Sequence, residues 1–328
     1  MLGLDAAVIM NPKVWEASGH LQNFSDPLVE CKKCHHRFRP DQLEDPNVCP
    51  DCGGSFAAAK QFNMMFRTFV GTTDESASTA YLRPEIAQAM FVNFKNVLDT
   101  ARPRLPFGIA SMGKVFRNEI TPGNFIFRTL EFDLMEFEYF CRSEEWQKHF
   151  EYWLAEHQAW LADIGFHKKN LRVREHEPEE RAHYSEKTAD IEYQTPFGWK
   201  EMFGLAYRTD FDLKKHSEQS GADLQYTDPD TGEKFIPHVI EPTFGLTRLF
   251  LMLLLEAYRE EGEGDKKRVY LKLPTQLAPY KAAVFPLLRN KPELVAKAEE
   301  VYKDLKKKFM ITWDDRGNIG KSYYSQDE

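Results

Sequence analysis

Four of the five cysteines form two Cys-x-x-Cys pairs, Cys31/Cys34 and Cys49/Cys52, with 14 residues between the pairs. Four thiolates on two tight turns can surround one Zn²⁺ ion tetrahedrally, which is the usual geometry of a structural zinc site. The alternatives are disulfides or free thiols in place of the ion, and neighbouring histidines as ligands, His35 and His36. Because four cysteines leave no coordination position open, the spacing predicts a structural rather than a catalytic zinc.

A second set of chemical side chains lies in the segment KVFRNEITPGNFIFRTLEFDLMEFEYF, residues 114–140. Its alternation predicts a β-hairpin with a turn at 121–124, where Pro, Gly and Asn favour a tight turn. Counting by twos collects charged and aromatic side chains on one face of each strand: Arg117 and Glu119 in the first, and Arg128, Phe132 and Glu136 in the second. The solvated face of an edge hairpin is the alternative explanation for these charges.

Arg248 is a further arginine whose position needs an explanation. The stretch VIEPTFGLTR leads from a predicted strand, through a predicted break at Glu241 and Pro242, into an apolar helix. An arginine that enters a buried helix is costly unless it has a partner. Two hairpin arginines, a stacking aromatic ring and this helix arginine together suit a nucleoside triphosphate bound on an antiparallel sheet.

Hydrophobic periodicity predicts the elements that position these residues. One helix is predicted over 83–101 and another over 144–164, whose tryptophans are explained by core packing. The remaining predictions are two strands around a Pro-Phe-Gly turn in 189–213, a strand and helix in 234–258, and a strand-helix-strand-helix order from 281 onwards. The alternation in the tail predicts a small parallel or mixed sheet.

Composition and charge limit the class of protein. The 328 residues are 42% hydrophobic, carry a net charge of −8, and contain no apolar run of 18 residues. With no secretory signal at the N-terminus and cysteines spaced for metal binding, we expect a reduced, cytoplasmic protein that does not enter a membrane. The negative charge argues against a protein that grips nucleic acid over its whole surface.

Charge is unevenly distributed along the chain. Residues 268–328 contain 12 Lys and Arg against 8 Asp and Glu, whereas the preceding part is strongly acidic. The stretch EEGEGDKKR at 260–268 is typical of a linker, because its two glycines interrupt helical or strand patterns. We therefore expect a domain boundary after residue 267, in a chain longer than one ordinary domain.

These motifs resemble those of class II aminoacyl-tRNA synthetases, and specifically those of the bacterial glycyl-tRNA synthetase family. FRNEITPGNFIFRTLEF is similar to the second signature motif of the class and EPTFGLTR to the third, and the resemblance covers essentially the whole chain. It implies an α+β fold with an antiparallel sheet flanked by helices. The implied domains are a class II catalytic domain at 1–267 with a zinc-ribbon insertion at 27–60, and a partial α/β anticodon-binding domain at 268–328.

The resemblance also implies roles for individual residues. Arg117 matches the arginine that binds the substrate carboxylate and the α-phosphate of ATP. The implied nucleotide contacts are Glu119 at the adenine edge, Phe132 under the adenine ring, and Arg128 with Arg248 on the triphosphate. The carboxylates implied near Mg²⁺ are Glu201 and Glu241. The implied glycine site consists of Glu85, Glu136 and Glu241 around the ammonium group, Arg208 balancing their charge, and Thr243 nearby.

The sequence departs from the family pattern at five positions beside these residues. Where familiar members have Thr, Gly, Arg, Gln and Ser, this chain has Ile86, Ala89, Leu130, Leu134 and Thr243. Each replacement is larger or more apolar, so activity, affinity and amino-acid choice are the properties that would change. Both ends are expected to be trimmed relative to the family, and the family homodimer is expected to be weakened because its interface helix would precede Met1.

The implied function is activation of glycine with ATP and Mg²⁺ to glycyl-adenylate, followed by transfer of glycine to tRNA(Gly). Two alternatives stay open: a synthetase-like adenylate former for another small amino acid, and a catalytically silent nucleic-acid-binding module on the same fold. The silent module is disfavoured because it has no need of the complete nucleotide-binding set, Arg117, Arg128, Phe132 and Arg248.

Overall fold

The computed structural model describes residues 1–73, 78–264 and 267–327. Its strands are β1 Leu2–Gly3, β2 Ile9–Met10, β3 Ser25–Glu30, β4 Arg37–Phe38, β5 Lys60–Asn63, β6 Arg67–Val70, β7 Ser78–Leu82, β8 Phe107–Phe116, β9 Glu131–Cys141, β10 Leu171–Glu175, β11 Lys187–Thr195, β12 Gly198–Thr209, β13 Tyr226–Thr227, β14 Lys234–Phe235, β15 His238–Gly245, β16 Tyr258–Glu261, β17 Arg268–Leu271, β18 Ala282–Val284 and β19 Ile311–Trp313. Its helices are α1 Pro12–Ala17, α2 His20–Asn23, α3 Ala87–Val92, α4 Phe94–Ala101, α5 Trp146–Asp163, α6 Phe211–Ser220, α7 Leu246–Ala257, α8 Pro292–Lys306 and α9 Ile319–Asp327.

The chain divides into two compact units, residues 1–156 with 172–251, and residues 157–171 with 252–328. The domain boundary predicted after residue 267 stays a prediction, and residues 265 and 266 of the predicted linker lie outside the described residues. Within the described ranges, no helix has both the length and the apolar character needed to cross a membrane.

A seven-stranded sheet dominates the first unit, in the order β1-β8-β9-β15-β12-β11-β10. β1 is parallel to β8, whereas the four ladders that connect β8, β9, β15, β12 and β11 are antiparallel. β15 lies between β9 and β12, so side chains distant in sequence become neighbours: Thr243 lies opposite Glu136 on one side and Gly204 on the other. This antiparallel sheet with its helices is an α+β fold, as predicted.

Helices cover both faces of the central strands. On one face α3 and α4 bring Phe91 and Phe94 against Phe140 of β9, with ring centroids 6.4 and 4.7 Å apart. On the other face the start of α5 packs Trp146 against Tyr207 with parallel rings 4.1 Å apart. The prediction that the α5 tryptophans serve packing is therefore confirmed for Trp146, whose partly buried ring stacks on the sheet.

The second unit contains an antiparallel pair, β16 with β17, and a parallel pair, β18 with β19. The parallel strands are joined through α8, because parallel neighbours need a crossover connection. The strand-helix-strand-helix order predicted for the tail is confirmed by β18, α8, β19 and α9.

The predicted hairpin of 114–140 is confirmed as a pair of strands, but the predicted position of its turn is wrong. The strands end at Phe116 and restart at Glu131, and the intervening loop closes through reciprocal backbone hydrogen bonds between Gly123 and Arg128 of 3.0 and 3.2 Å. The turn therefore lies at 124–127 rather than at 121–124. Asn124 and Phe125 have φ of 54° and 56°, a left-handed conformation that asparagine tolerates well.

Two further predictions need correction. The helix predicted over 83–101 is divided into α3 and α4 at Asn93, whose side-chain amide donates to the Ala89 carbonyl at 2.9 Å and so competes with the helix backbone. The break predicted at Glu241 and Pro242 is wrong, because both lie inside β15. Proline is accommodated there because the register to β9 pairs residues 240 and 243 but neither residue between them.

Candidate active site

The candidate site lies on the sheet face that carries α3. Along β9 the even-numbered side chains follow one another on this face: Phe132 and Leu134 line an open cleft, Glu136 and Glu138 are buried, and Phe140 joins the core. One strand therefore leads from an accessible cleft, through buried carboxyl groups, into apolar packing.

The cleft collects the predicted nucleotide-binding residues, and we call it the arginine cleft. Its lining includes Arg117, Glu119, Arg128, Phe132, Glu201 and Arg248. The adjoining pocket, which we call the acidic pocket, is lined among others by Glu85, Glu136 and Glu241. Arg117, Glu201 and Thr243 line both spaces, so the cleft and the pocket adjoin at these residues.

Arg117 stands at the junction of the two spaces, just after the end of β8. Its Nε donates to the Pro84 carbonyl at 3.2 Å, and its guanidinium carbon lies 5.3 Å from the centre of the Phe132 ring and 5.4 Å from that of Phe24. Rings on which a cation can rest hold the guanidinium by electrostatic attraction without neutralising it. No other described residue is hydrogen-bonded to this guanidinium, so its remaining nitrogens are available to an anionic ligand.

Arg248, in the first turn of α7, is held by contacts from two directions. Its Nη1 donates to the Glu201 carboxylate at 3.0 Å and to the Glu201 carbonyl at 3.2 Å, while its guanidinium carbon lies 4.5 Å from the centre of the Phe127 ring. The partner that the sequence requires for this arginine is thus Glu201. The Glu201 side chain is 48% exposed, so a cation can still reach its carboxylate.

Arg128 projects from the loop between β8 and β9 and has a looser ion pair. Its Nη1 lies 3.8 Å from Oε2 of Glu119, whose side chain is only 10% exposed. Burial lowers the pKa of the Arg128 guanidinium, with Arg39 and Arg248 acting in the same direction and Glu119 against it. Several cations face one volume, which favours an anion of multiple charge in the cleft.

Arg208 is the centre of the charged network beside the acidic pocket and is completely buried. It donates to both carboxylate oxygens of Asp212 at 2.7 and 2.8 Å and to Glu241 at 2.7 Å. Its guanidinium carbon also lies 3.7 Å from the centre of the Tyr184 ring. A bidentate guanidinium-carboxylate pair is rigid, so Arg208 fixes Glu241 in one orientation.

Glu85 and Glu136 meet at the start of α3, but their surroundings differ. Glu136 accepts the backbone N–H groups of Ile86 and Ala87 at 2.8 and 3.1 Å, which caps the helix from a neighbouring strand. Glu85 contacts Nε2 of His20 at 3.2 Å. The predicted glycine-site acids are therefore brought together by the fold, although they are distant in sequence.

The buried carboxyl groups have divergent acidities. Burial raises the pKa of Glu136 to about 7, and the charge of Glu85 adds to the effect. Burial raises the pKa of Glu241 to about 8, although Arg208 opposes it. For Glu85 burial acts in the same direction, but His20 and Arg208 outweigh it and its pKa is lowered. The network therefore accommodates its acids partly by protonation, because like charges at close range cannot all ionise.

Sequence reasoning missed several members of this network. Glu138 is fully buried, has no hydrogen-bond partner for either carboxylate oxygen among the described residues, and has a pKa that burial raises well above the ordinary value. Its position two residues after Glu136 is the signal that could have found it. Tyr184 and His20 carry no such signal, because only the folded chain brings them to Arg208 and Glu85, whereas Asp212 lies four residues after Arg208 in the sequence.

The five departures from the family pattern have different surroundings. Ile86, Ala89 and Leu134 are buried, with 0%, 2% and 4% exposure, whereas Leu130 is 42% exposed. Ile86 belongs to the hydrophobic core under the site, and its side chain is therefore packed rather than directed at a ligand. Thr243 lines both the arginine cleft and the acidic pocket, so it is the departure with the most direct access to a bound molecule.

The four cysteines of the two pairs converge, as their spacing predicts. The Sγ atoms of Cys31, Cys34, Cys49 and Cys52 all lie within 4.8 Å of one another. The Sγ atoms of Cys31 and Cys52 are 3.5 Å apart and those of Cys34 and Cys49 are 3.6 Å apart, much longer than the ~2.05 Å bond of a disulfide. A tetrahedral ion with bonds of about 2.3 Å holds its sulfurs about 3.8 Å apart, so the cluster fits zinc.

Comparisons with known proteins agree with this geometry. The family described as tRNA synthetase class II core domain (G, H, P, S and T) matches residues 68–258, which include the arginine cleft and the acidic pocket. The fold and the matched region together define a class II aminoacyl-tRNA synthetase.

Curated relatives narrow the assignment. The glycine--tRNA ligases of Caldanaerobacter subterraneus subsp. tengcongensis, Alkaliphilus oremlandii and Geobacillus thermodenitrificans are 48%, 49% and 49% identical, and each comparison covers 100% of this chain and 76% of the relative. The chain therefore belongs to the glycine--tRNA ligase family of class II aminoacyl-tRNA synthetases.

Proposed function

We propose that this chain activates glycine with ATP to form glycyl-adenylate and then transfers the glycyl group to tRNA(Gly). The observation that carries the proposal is the direct junction of the arginine cleft with the acidic pocket at Arg117 and Thr243. ATP is an anion and the amino group of glycine is a cation, so a site for both needs these opposite charges side by side.

In the first step a carboxylate oxygen of glycine attacks the α-phosphorus of ATP, the bond to the β-phosphate oxygen breaks, and pyrophosphate leaves. Arg117 stabilises the negative charge that builds on the α-phosphate, because its guanidinium stands where the two spaces meet. Arg128 and Arg248 hold the β- and γ-phosphates. No general base is required, since the attacking carboxylate is already ionised at neutral pH.

The adenine ring is assigned to the part of the cleft lined by Phe132, with Glu119 at its edge. Arg117 already rests against the Phe132 ring, which links the base to the reacting phosphate through one side chain. Mg²⁺, when bound, neutralises charge between adjacent phosphates. Glu201 lines the cleft that would receive the phosphates and would be the carboxylate that meets this ion.

Glycine is assigned to the acidic pocket, with its ammonium group among Glu85, Glu136 and Glu241. The ammonium charge, once bound, offsets the repulsion between those acids that are ionised. All amino acids share the ammonium group, so selection for glycine comes from lack of room beside its α-carbon. Thr243 narrows that space by one methyl group relative to serine.

We extend the proposal to the cysteine cluster, which we assign to a structural zinc ion in a zinc-ribbon insertion at 27–60. The strands β3, β4 and β5 form a small three-stranded sheet around it. An anticodon-binding domain at 268–328 and binding of tRNA(Gly) remain predictions of the same proposal.

Amino-acid-dependent ATP/pyrophosphate exchange, run with each of the twenty amino acids, tests the activation step. Glycine should support exchange and the others should not. Faster exchange with alanine or serine at equal concentration would refute the choice of glycine while leaving adenylate chemistry intact. Absence of exchange with every amino acid would favour the silent module.

Metal analysis tests the zinc assignment. Protein prepared without chelator should contain about one zinc per chain, and Cys49→Ser should release it. Cys141→Ala is the matched control, because Cys141 is buried apart from the cluster and should leave the zinc content unchanged. Metal-free wild-type protein would exclude the site.

A further inference from the structure

The cysteine-bearing insertion reaches the arginine cleft, which its sequence position does not indicate. After β4 the chain forms a short 3₁₀ helix, Pro40–Gln42, in which the Gln42 N–H donates to the Arg39 carbonyl at 3.1 Å. Residues of this turn and Arg128 line one groove next to the arginine cleft. The insertion therefore forms part of the wall beside the loop that carries Arg128.

Arg39 anchors this turn to the insertion. Its side chain is 17% exposed and makes ion pairs with Asp26 of β3 and with Asp41, the latter through two hydrogen bonds of 2.9 and 3.1 Å. Bidentate guanidinium-carboxylate pairs have a defined geometry. The position of the turn is thus tied to the strands that carry the cysteine cluster.

Gln42 connects the anchored turn to Arg128. With its amide oriented so that the oxygen faces the two guanidinium groups, Gln42 accepts from Nε of Arg39 at 3.1 Å and from Nη1 of Arg128. The opposite orientation would place the amide nitrogen against two donors, which is unfavourable. Glu119, the other partner of Arg128, is 3.8 Å away, so Gln42 makes the closer contact.

We infer that Gln42 is a positioning residue for ATP: it holds the Arg128 guanidinium toward the triphosphate and couples the cysteine-bearing insertion to the first chemical step. The inference rests on the proposed function, because it assigns Arg128 to the β- and γ-phosphates. A neutral oxygen suits this task, since it orients the guanidinium without cancelling the charge that the phosphates need.

The test compares Gln42→Met, which keeps the side-chain length but removes the oxygen, with Gln42→Glu, which keeps an acceptor. Glycine-dependent exchange should show a KM for ATP that rises roughly three- to tenfold in Gln42→Met, with the KM for glycine and the zinc content unchanged. Gln42→Glu places a negative charge beside Arg128 and the triphosphate, so its KM for ATP should also rise above that of wild type. Glu44→Ala, a truncation two residues away, is the matched control and should behave as wild type.

Two outcomes would overturn the inference: an unchanged KM for ATP in Gln42→Met, or an equal rise in the KM for glycine, which would indicate a merely structural role. If the protein shows no exchange, calorimetric titration with ATP alone measures how the contact between Gln42 and Arg128 affects ATP affinity. A wild-type protein that binds ATP but exchanges no pyrophosphate would defeat the proposed function, and weaker ATP binding by Gln42→Met would still support the inference. ATP binding equal to wild type would reject it.

Discussion

The arginines of the arginine cleft and of the acidic pocket differ in exposure and in their charged partners. Arg128 and Arg248 are each 24% exposed, and their partners are few or partly solvated. Arg208 is completely buried and has charged partners within 2.8 Å. Phosphates can therefore replace water around the arginines of the cleft, whereas the side chains of the pocket are already held in place by Arg208.

This difference has a physical reason. A triphosphate is large and highly charged. Partly exposed arginines keep much of their hydration while the site is empty, so the free energy cost of leaving them unpaired is small. A single ammonium group is small and supplies few contacts, so the acids that receive it must already be oriented. Preorganisation of this kind lowers the cost of binding a small ligand.

The largest predicted effect is a loss of stability when the central arginine of the acidic pocket is replaced. Arg208→Met leaves buried carboxylates uncompensated and should lower the free energy of unfolding by about 3–5 kcal/mol. Arg104→Met is the control, because its pair with Asp230 is 68% exposed on both sides and should change stability by less than about 1 kcal/mol. Equal denaturant midpoints for the two variants would show that the pocket is not held by Arg208.

Activity should respond more than stability in the arginine cleft. Arg117→Ala should reduce glycine-dependent exchange by about 10²- to 10³-fold with little change in the melting temperature, because Arg117 acts on developing charge rather than on packing. The exchange rate of Arg117→Lys should lie between those of Arg117→Ala and wild type, since lysine keeps the positive charge but not the planar set of donors. A fully active Arg117→Ala enzyme would refute the assigned mechanism.

The raised pKa values of the pocket predict a pH effect on the ligand-free protein. Glu136 and Glu241 titrate near 7 and 8 when folded, above their ordinary value of 4.5. The stability that these protonated groups contribute is present at low pH and is lost as the pH rises through 7 and 8.

Thermal unfolding from pH 6 to 9 should therefore show a fall in the melting temperature on the order of 5 °C, and saturating glycine should reduce the fall. Replacing both acids in Glu136→Gln/Glu241→Gln should flatten the ligand-free profile. A profile that is identical in wild type and this double variant would contradict the assignment.

The smallest predicted effect concerns the residue that both regions share. Thr243→Ser removes one methyl group, which is worth at most about 0.8 kcal/mol in apolar contact, so the KM for glycine should fall up to about fourfold or stay unchanged. Steady-state exchange at several glycine concentrations measures this change. A higher KM would indicate that the threonine methyl contacts glycine productively.

Much of the site could be predicted because its residues lie in local patterns. The period-two face of β9 joins Phe132 to Glu136, and the apolar helix around Arg248 requires a partner for that arginine. The predicted tip of the 114–140 hairpin was wrong, because turn-forming residue types do not distinguish a tight turn from a longer closed loop. The helix division at Asn93 depends on one side-chain hydrogen bond, which periodicity does not report.

The sequence by itself determined the cysteine spacing, the alternation that places Phe132, Glu136 and Glu138 on one face, and the motifs that identify the family, because each is set by the chain's local geometry. The tertiary structure decided which distant groups meet: β15 between β9 and β12, Arg208 against Glu241, and Gln42 against Arg128. These contacts follow from strand order and loop placement, which sequence spacing does not specify. The pKa values of Glu136 and Glu241 are raised because the folded chain excludes water around these carboxyl groups.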